Sequence, residues 1–291
     1  MRYWLALGLM VLSMSTASAQ SPALPAAASP SPASAASPTL RIGVLPYLSP
    51  RTLLLEFAPL REFLEGELRR KTEILSAPDF PRFLARTDAG HFDLVVTAPH
   101  FARLAQQELG FKPLIAIRAD FYALVLVPEG AAASTLSGLR GKTLHLPHRL
   151  SFISLQIEDF LRQRGILPER DLTVIHHSTD NNAILAAERS RDDAAAAQRA
   201  VFDGMPKEIT DKLRILGSTQ SALSLVALAH PRLSDAEVAR LQQALNKFPF
   251  SVDGLKFFQS SRTEFIPADT ATMRRLDAYL PRLKELLAND S

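Results

Sequence analysis

Along this chain, short unbroken apolar runs alternate with stretches in which apolar residues return every third or fourth position. These are the patterns of buried strands and amphipathic helices. Residues 40–45 form a run of the first kind, and residues 52–70 follow with Leu53, Phe57, Leu60, Phe63, Leu64 and Leu68 at helical spacing. The same alternation predicts strands over 72–76, 92–97, 112–117 and 122–127, with helices over 80–88 and 99–107. After the Ala131-Ala132-Ala133 break a second series begins: strands over 142–146, 172–176 and 193–197, and helices over 152–164, closed by Gly165, and 181–189. Strands over 213–216 and 223–229 return the chain. The end reads as helical over 234–246, where Ser234 and Glu237 form a capping box, and over 270–287. Repeated strand and helix units predict an α/β protein of mainly parallel sheets flanked by helices, and two such series with a return crossing predict two lobes and a cleft. The boundaries place residues 40–122 and 223–291 in lobe 1 and 123–222 in lobe 2.

The first 39 residues do not follow this pattern. Arg2, an apolar run from Leu5 to Met14 and the small-residue site Ala17-Ser18-Ala19 read as a cleavable export signal over residues 1–19. The run is too short to span a bilayer, which needs about 20 residues. In residues 21–39, 17 of 19 are Ala, Pro or Ser, which leaves almost nothing to bury and predicts a disordered tether over 20–39. No later apolar run reaches spanning length, so the expected location is the periplasm.

Composition narrows the chemistry. The 291 residues carry 33 basic and 30 acidic side chains, a net charge of +3 without a basic cluster, which gives no support to nucleic-acid binding. The absence of cysteine excludes thiol nucleophiles, iron–sulfur clusters, disulfides and a lipid-modified N-terminal cysteine. Nucleotide-binding glycine loops and the G-x-S-x-G nucleophile motif are absent too.

In open α/β sheets ligands collect where strands end and helices begin, because the helix N-termini present unpaired N–H groups there. Four such junctions carry hydroxyls: Tyr47 and Ser49 before Pro50; Thr97 before Pro99 and His100; Ser151 and Ser154; and Ser178-Thr179-Asp180-Asn181. Each hydroxyl is an ordinary helix cap if taken singly. Four in one two-lobed chain also fit a small tetrahedral oxyanion, which offers acceptors in several directions. His145, His148, His176 and His177 form a rival constellation, with His100, for a metal. Pro147 and the opposite facing of adjacent strand residues disfavour it, and no metal or other cofactor is expected.

The segments R-I-G-V-L-P-Y-L-S-P-R (41–51), F-D-L-V-V-T-A-P-H (92–100) and L-R-G-K-T-L-H-L-P (139–147) resemble the phosphate-, phosphite- and phosphonate-binding periplasmic proteins of ATP-driven importers. The resemblance covers roughly residues 40–265. It implies a two-lobed type II periplasmic-binding fold that closes on an oxyanion and docks on a membrane permease, without catalysis and as a monomer. By the same resemblance Tyr47 and the Thr97–His100 loop contact the ligand from lobe 1, and Ser151 and Ser154 cap the anion-binding helix of lobe 2. The chain departs from the family where Ser151-Phe152-Ile153-Ser154 replaces a tight S-T-S run, and where Asp180 stands in place of a histidine. A carboxylate facing an oxyanion repels it, so Asp180 either caps its helix, shares a ligand proton or meets a ligand amine. Arg199, after a run of alanines, offers a guanidinium that would offset Asp180. Two other functions remain open: a sensor that hands its closed state to a membrane kinase or cyclase, and an enzyme for which Asp180 with His177 is the available acid–base pair.

Overall fold

The computed structural model describes residues 38–258 and 264–289. The export signal and nearly all of the tether expected before Leu40 lie outside the described residues. In chain order the elements are β1 (Leu40–Val44), α1 (Pro50–Leu68), β2 (Thr72–Leu75), α2 (Phe80–Asp88), β3 (Leu94–Thr97), α3 (Pro99–Leu109), β4 (Lys112–Phe121), β5 (Ala123–Pro128) and β6 (Thr143–Leu146). There follow α4 (Phe152–Arg162), α5 (Pro168–Asp171), β7 (Thr173–His176), α6 (Asp180–Glu188), β8 (Ala194–Gln198), α7 (Arg199–Asp203), α8 (Lys207–Thr210) and β9 (Leu213–Ser218). The chain finishes with β10 (Ala222–Ala229), α9 (Asp235–Lys247), α10 (Val252–Phe258), β11 (Glu264–Pro267), α11 (Thr270–Arg274) and α12 (Leu280–Ala288).

Two sheets organise these elements, in the orders β11-β4-β10-β3-β1-β2 and β7-β6-β8-β5-β9. Both are mixed rather than mainly parallel. The pairs β1–β2, β1–β3, β6–β7 and β6–β8 are parallel, as the strand–helix–strand units require, but β10 enters the first sheet antiparallel between β3 and β4, and β5 runs antiparallel between β8 and β9. The cause is connectivity. Strands that enter from the other lobe are free of the right-handed crossover that fixes parallel neighbours.

The chain passes between the sheets at Tyr122 and again through Thr219–Ser221. The crossings are tied together: the Thr219 N–H donates to the Ala123 carbonyl and the Ala123 N–H donates to Thr219 Oγ1, each at 2.9 Å. Each sheet buries both faces, as a helix-covered sheet must. Ile42, Val44, Leu94 and Val96 pack on one face of the first sheet, and Val95, Ala116 and Leu228 on the other. In the second sheet Val125 and Val127 oppose Leu124 and Leu126. The four alanines of β8 are fully buried, and their small side chains let α4 and α6 both pack on this strand.

Helix starts follow the capping chemistry expected of them. Ser49, Asp79, Ser151, Thr179 and Ser234 each accept a first-turn N–H, the last in a complete capping box. The helix expected over 270–287 is instead broken into α11, a short 3₁₀ turn (Asp277–Tyr279) and α12. Pro281 explains the break, since it lacks the N–H a continuous helix needs and fits only a first turn. The edge strand β11 and helix α10 were not anticipated. Edge strands tolerate a proline such as Pro267, and Gly254 is needed in α10 because a Cβ there would meet the Phe248 carbonyl.

Candidate functional site

The loop after β1 folds tightly, with the Tyr47 N–H donating to the Leu45 carbonyl at 2.9 Å. Tyr47 remains 39% exposed, and its hydroxyl donates to Glu56 Oε1 of α1 at 2.6 Å. Desolvation by surrounding protein, reinforced by that carboxylate, pushes the phenol's pKa far upward, so Tyr47 stays protonated. Its proton is already engaged, and a ligand would meet an acceptor oxygen unless Glu56 released it. Ser49 acts as a cap: its Oγ accepts the Thr52 N–H at 3.3 Å and lies 2.7 Å from Thr52 Oγ1.

The junction after β3 does not repeat that grammar. The residue capping α3 is Ala98, which makes no side-chain bond, while Thr97 ends the strand. Thr97 shares the sheet face of Val95, and both line a mainly apolar cavity of about 310 Å3 between α2, α3 and α12. Thr97 Oγ1 is buried with no hydrogen-bond partner. His100, fully buried in α3, reaches the other lobe: its Nε2 donates to the Leu150 carbonyl at 3.0 Å and its ring stacks on Phe152, centroids 5.1 Å apart and planes 9° apart. Donation through Nε2 leaves Nδ1 as a lone-pair acceptor, and it too is buried without a partner. Desolvation pushes the pKa of His100 down to about 3, so the ring is neutral.

Leu150 and Phe152 belong to the start of α4. Ser151 accepts the Ser154 N–H and donates to Ser154 Oγ, both at 3.1 Å. Ser154 is fully buried, with its Oγ 3.2 Å from the Pro147 carbonyl and 3.1 Å from the His148 carbonyl. Both serines therefore serve the turn. The N–H groups of Phe152 and Ile153, by contrast, have no acceptor among the described residues, and they carry the positive end of an eleven-residue helix.

The fourth junction corrects two expectations. The cap of α6 is Thr179, which accepts the Asn182 N–H at 3.2 Å, and the helix begins at Asp180 itself. Asp180 Oδ1 instead accepts the Gln198 N–H at 2.7 Å, tying α6 to the end of β8, and burial raises its pKa. Arg199 does not reach Asp180. Its Nε donates to Asp203 one turn on, at 2.6 Å, and its backbone N–H donates to the Tyr122 carbonyl at 3.0 Å. Asn181 is exposed. His177 is paired with His145 (Nε2 to Nδ1, 2.9 Å) rather than with Asp180, which separates the acid–base pair imagined for an enzyme. His176 bonds the Pro147 carbonyl at 3.0 Å, and His148 packs edge-on against Phe80, centroids 5.2 Å apart. Among the described residues no group of three or more such side chains is arranged to hold a metal ion.

The structure thus brings together His100, Ser151 and Ser154 at the start of α4, with Leu150 and Phe152 as contacts the sequence did not reveal. Tyr47 and Ser49 keep their bonds within the first lobe, and Asp180 and Arg199 bond to separate partners. The Arg199–Asp203 pairing was legible as an i, i+4 salt bridge, and the burial of Thr97 as strand alternation with Val95.

A family model described as ABC transporter, phosphonate, periplasmic substrate-binding protein matches residues 42–273. Among solved structures, XAC2383 from Xanthomonas citri bound to chloride ion is similar at 23% identity, over 85% of this chain and 99% of that one, with a TM-score of 0.73. PhnD1 from Prochlorococcus marinus in complex with methylphosphonate is similar at 16% identity, over 84% and 98%, with a TM-score of 0.69. The periplasmic aliphatic sulphonate binding protein SsuA from Escherichia coli is similar at 18% identity, over 86% and 94%, with a TM-score of 0.66. At these identities the likeness is one of fold. No curated protein matches the chain.

Proposed function

The chain belongs to the family of periplasmic substrate-binding proteins of phosphonate ABC transporters, and from that premise we propose that it captures a small tetrahedral oxyanion, a phosphonate or its phosphate or phosphite analogue, at the start of α4. Proteins of this family are transport components that deliver a ligand to a membrane permease. The observation that carries the ligand reading is the pair of unclaimed N–H groups on Phe152 and Ile153. A helix N-terminus with free donors is an anion site ready-made. Opposite it, across the lobe contact, stands His100 with an unsatisfied Nδ1.

The protonation state of His100 refines the ligand. A neutral ring that donates through Nε2 can only accept at Nδ1, so the partner it suits is a ligand O–H. Glu56, which holds the Tyr47 hydroxyl, and Asp180, which holds the Gln198 N–H, stand at two of the other junctions, and a ligand reaching either carboxylate would be disfavoured as a plain dianion. A monoanionic phosphonate, or one carrying an amine, satisfies both conditions. Lobe closure follows because the ligand bonds to both lobes only in the closed state, and a ligand shifts an equilibrium by its differential affinity. In the same reading the mature chain begins at Gln20, the Ala/Pro/Ser stretch tethers a periplasmic monomer, and the closed form docks on the permease.

Calorimetric titration with methylphosphonate, 2-aminoethylphosphonate, phosphate and sulfate tests the reading. Affinity for the phosphonates should fall by about tenfold per unit as pH rises through the ligand's second ionisation, since the monoanion is what binds. Ser151→Ala should weaken binding by roughly 0.5 to 3 kcal/mol through the loosened first turn of α4. Equal affinity for every anion at every pH, or an unchanged Ser151→Ala, would place the site elsewhere.

A further inference from the structure

A second space lies between the lobes, on the flank of the crossings, and touches the start of α4 only through Phe152. It is a cavity of about 620 Å3 bounded by one side of α4, the crossing segment Ser218–Leu223, and the stretch from Thr272 to Tyr279. None of the nine residues expected to contact the oxyanion lines it. Its volume is that of a small-molecule site.

The lining has a definite chemistry. Arg118 from β4, Arg164 just beyond α4 and Arg275 just beyond α11 line it together with one aspartate, Asp159, which accepts from Gln163 Nε2 at 2.8 Å. Arg118 shares its charge with Glu264 at 3.2 Å. Arg164 lies over the Phe160 ring, 3.6 Å from its centroid, and donates to the Phe160 carbonyl at 2.9 Å, which leaves its charge without an acid. Arg275 is exposed, and its charge is felt by Asp269 at the start of α11. Between these cations Gln156 is 4% exposed, and its Oε1 is buried with no hydrogen-bond partner. A buried amide oxygen left unsatisfied costs free energy that a donor on a ligand would recover.

We propose that this cavity is a second ligand site, for a small organic acid that carries at least two acidic groups and one hydroxyl or amine hydrogen. The acids answer guanidinium groups that stand on different elements of the two lobes, and the hydrogen answers Gln156 Oε1. The occupant touches both lobes and the crossings, so it holds them together through contacts other than those of the oxyanion, with Phe152 as the residue the two sites share. Guanidinium forks suit carboxylates in particular.

Citrate and tricarballylate are suitable probes, because they share three carboxylates and differ in the hydroxyl. Titrated into the mature protein without phosphonate, citrate should bind and raise the melting temperature by mass action. It should bind roughly three- to tenfold tighter than tricarballylate, the ratio one neutral hydrogen bond gives. Gln156→Leu should abolish that ratio, and Arg275→Ala, a change at an exposed position, should weaken both acids; neither variant should alter methylphosphonate affinity. The proposal is overturned if citrate does not bind at concentrations up to about 10 mM, well above the range of specific weak ligands. It is equally overturned if citrate binding survives both substitutions unchanged, or if methylphosphonate displaces citrate competitively.

Discussion

Replacing His100 with Phe separates what its ring contributes to stability from what its nitrogens contribute. The imidazole is fully buried, stacked on Phe152 and bonded through Nε2 to the Leu150 carbonyl. Desolvation moves its pKa from 6.5 down to about 3. Between those two values the unfolded chain binds a proton that the folded chain refuses, so native stability is complete above pH 6.5 and declines as pH falls toward 3. Each unit of that interval is worth about 1.4 kcal/mol, so at about pH 4.5 this one group has removed roughly 2.7 kcal/mol. Phe retains the stacking but leaves the Leu150 carbonyl without its donor, a penalty of about 1 to 3 kcal/mol at neutral pH, reduced by removal of the orphaned Nδ1. The variant should therefore be the less stable protein at pH 7 and the more stable one in acid, the two curves crossing at about pH 5 to 6 for a net penalty of about 1 to 2 kcal/mol.

Urea unfolding followed by circular dichroism between pH 4.5 and 7.5, without ligand, reads both curves. His148, His177 and His230 are also shifted downward by desolvation, but they are present in both proteins and cancel in the difference. Ion-paired carboxylates with depressed pKa values, such as Asp93 beside Arg232 and Arg41, lose their contribution below the window. Parallel curves with a constant gap would show that His100 takes up its proton as readily in the folded protein as outside it, and the burial account would fail.

Gly43→Ala should cost about 1 to 3 kcal/mol of stability, the usual penalty of overpacking, because a Cβ there would stand 2.4 Å from the Phe92 ring; an unchanged melting temperature would show that the ring moves freely. Glu56→Ala should free the Tyr47 hydroxyl to donate and tighten methylphosphonate binding by roughly three- to tenfold, whereas an unaltered affinity would place Tyr47 outside the site. Asp180→Asn keeps an acceptor for the Gln198 N–H and removes a carboxylate whose folded pKa burial raises. Wild-type stability should fall as pH rises through that raised pKa and the variant's should not, and in titrations the variant should bind phosphate more tightly while losing any preference for 2-aminoethylphosphonate; stability curves of one shape would mean that Asp180 is as well solvated folded as unfolded.

Much of the fold was legible because period is a backbone property. The alternation of Ile42, Val44, Leu94 and Val96 and the three-and-four spacing of Leu53, Phe57, Leu60 and Leu64 report which faces are covered, and both survive whatever the chain does at long range. Strand direction is different. Nothing in Leu223–Ala229 as a run of apolar residues states that it lies antiparallel between β3 and β4, because direction is set by which lobe the chain has just left. The terminal helix misled for a local reason: its apolar spacing continues through Leu276, Leu280 and Leu283, but Pro281 forbids one continuous ladder of hydrogen bonds.

At the site the limit was occupancy rather than position. Sequence marks where a hydroxyl or a guanidinium stands, but not who has already taken its hydrogen, and Tyr47, Ser154 and Arg199 are all engaged within the protein. The departure from a tight serine run therefore matters less than residue types suggest. The anion-attracting part of α4 is its backbone, and the N–H groups of residues 152 and 153 are present whichever side chains they carry. What Phe152 adds in place of a hydroxyl is a flat apolar surface for His100. That surface joins the lobes at the proposed anion site, so a hydroxyl on the first turn of α4 is exchanged for a contact between the lobes. On the proposed reading, selectivity rests on the accepting nitrogen of His100 rather than on a count of donors, so the pH dependence of binding should discriminate between ligands more sharply than any single alanine substitution.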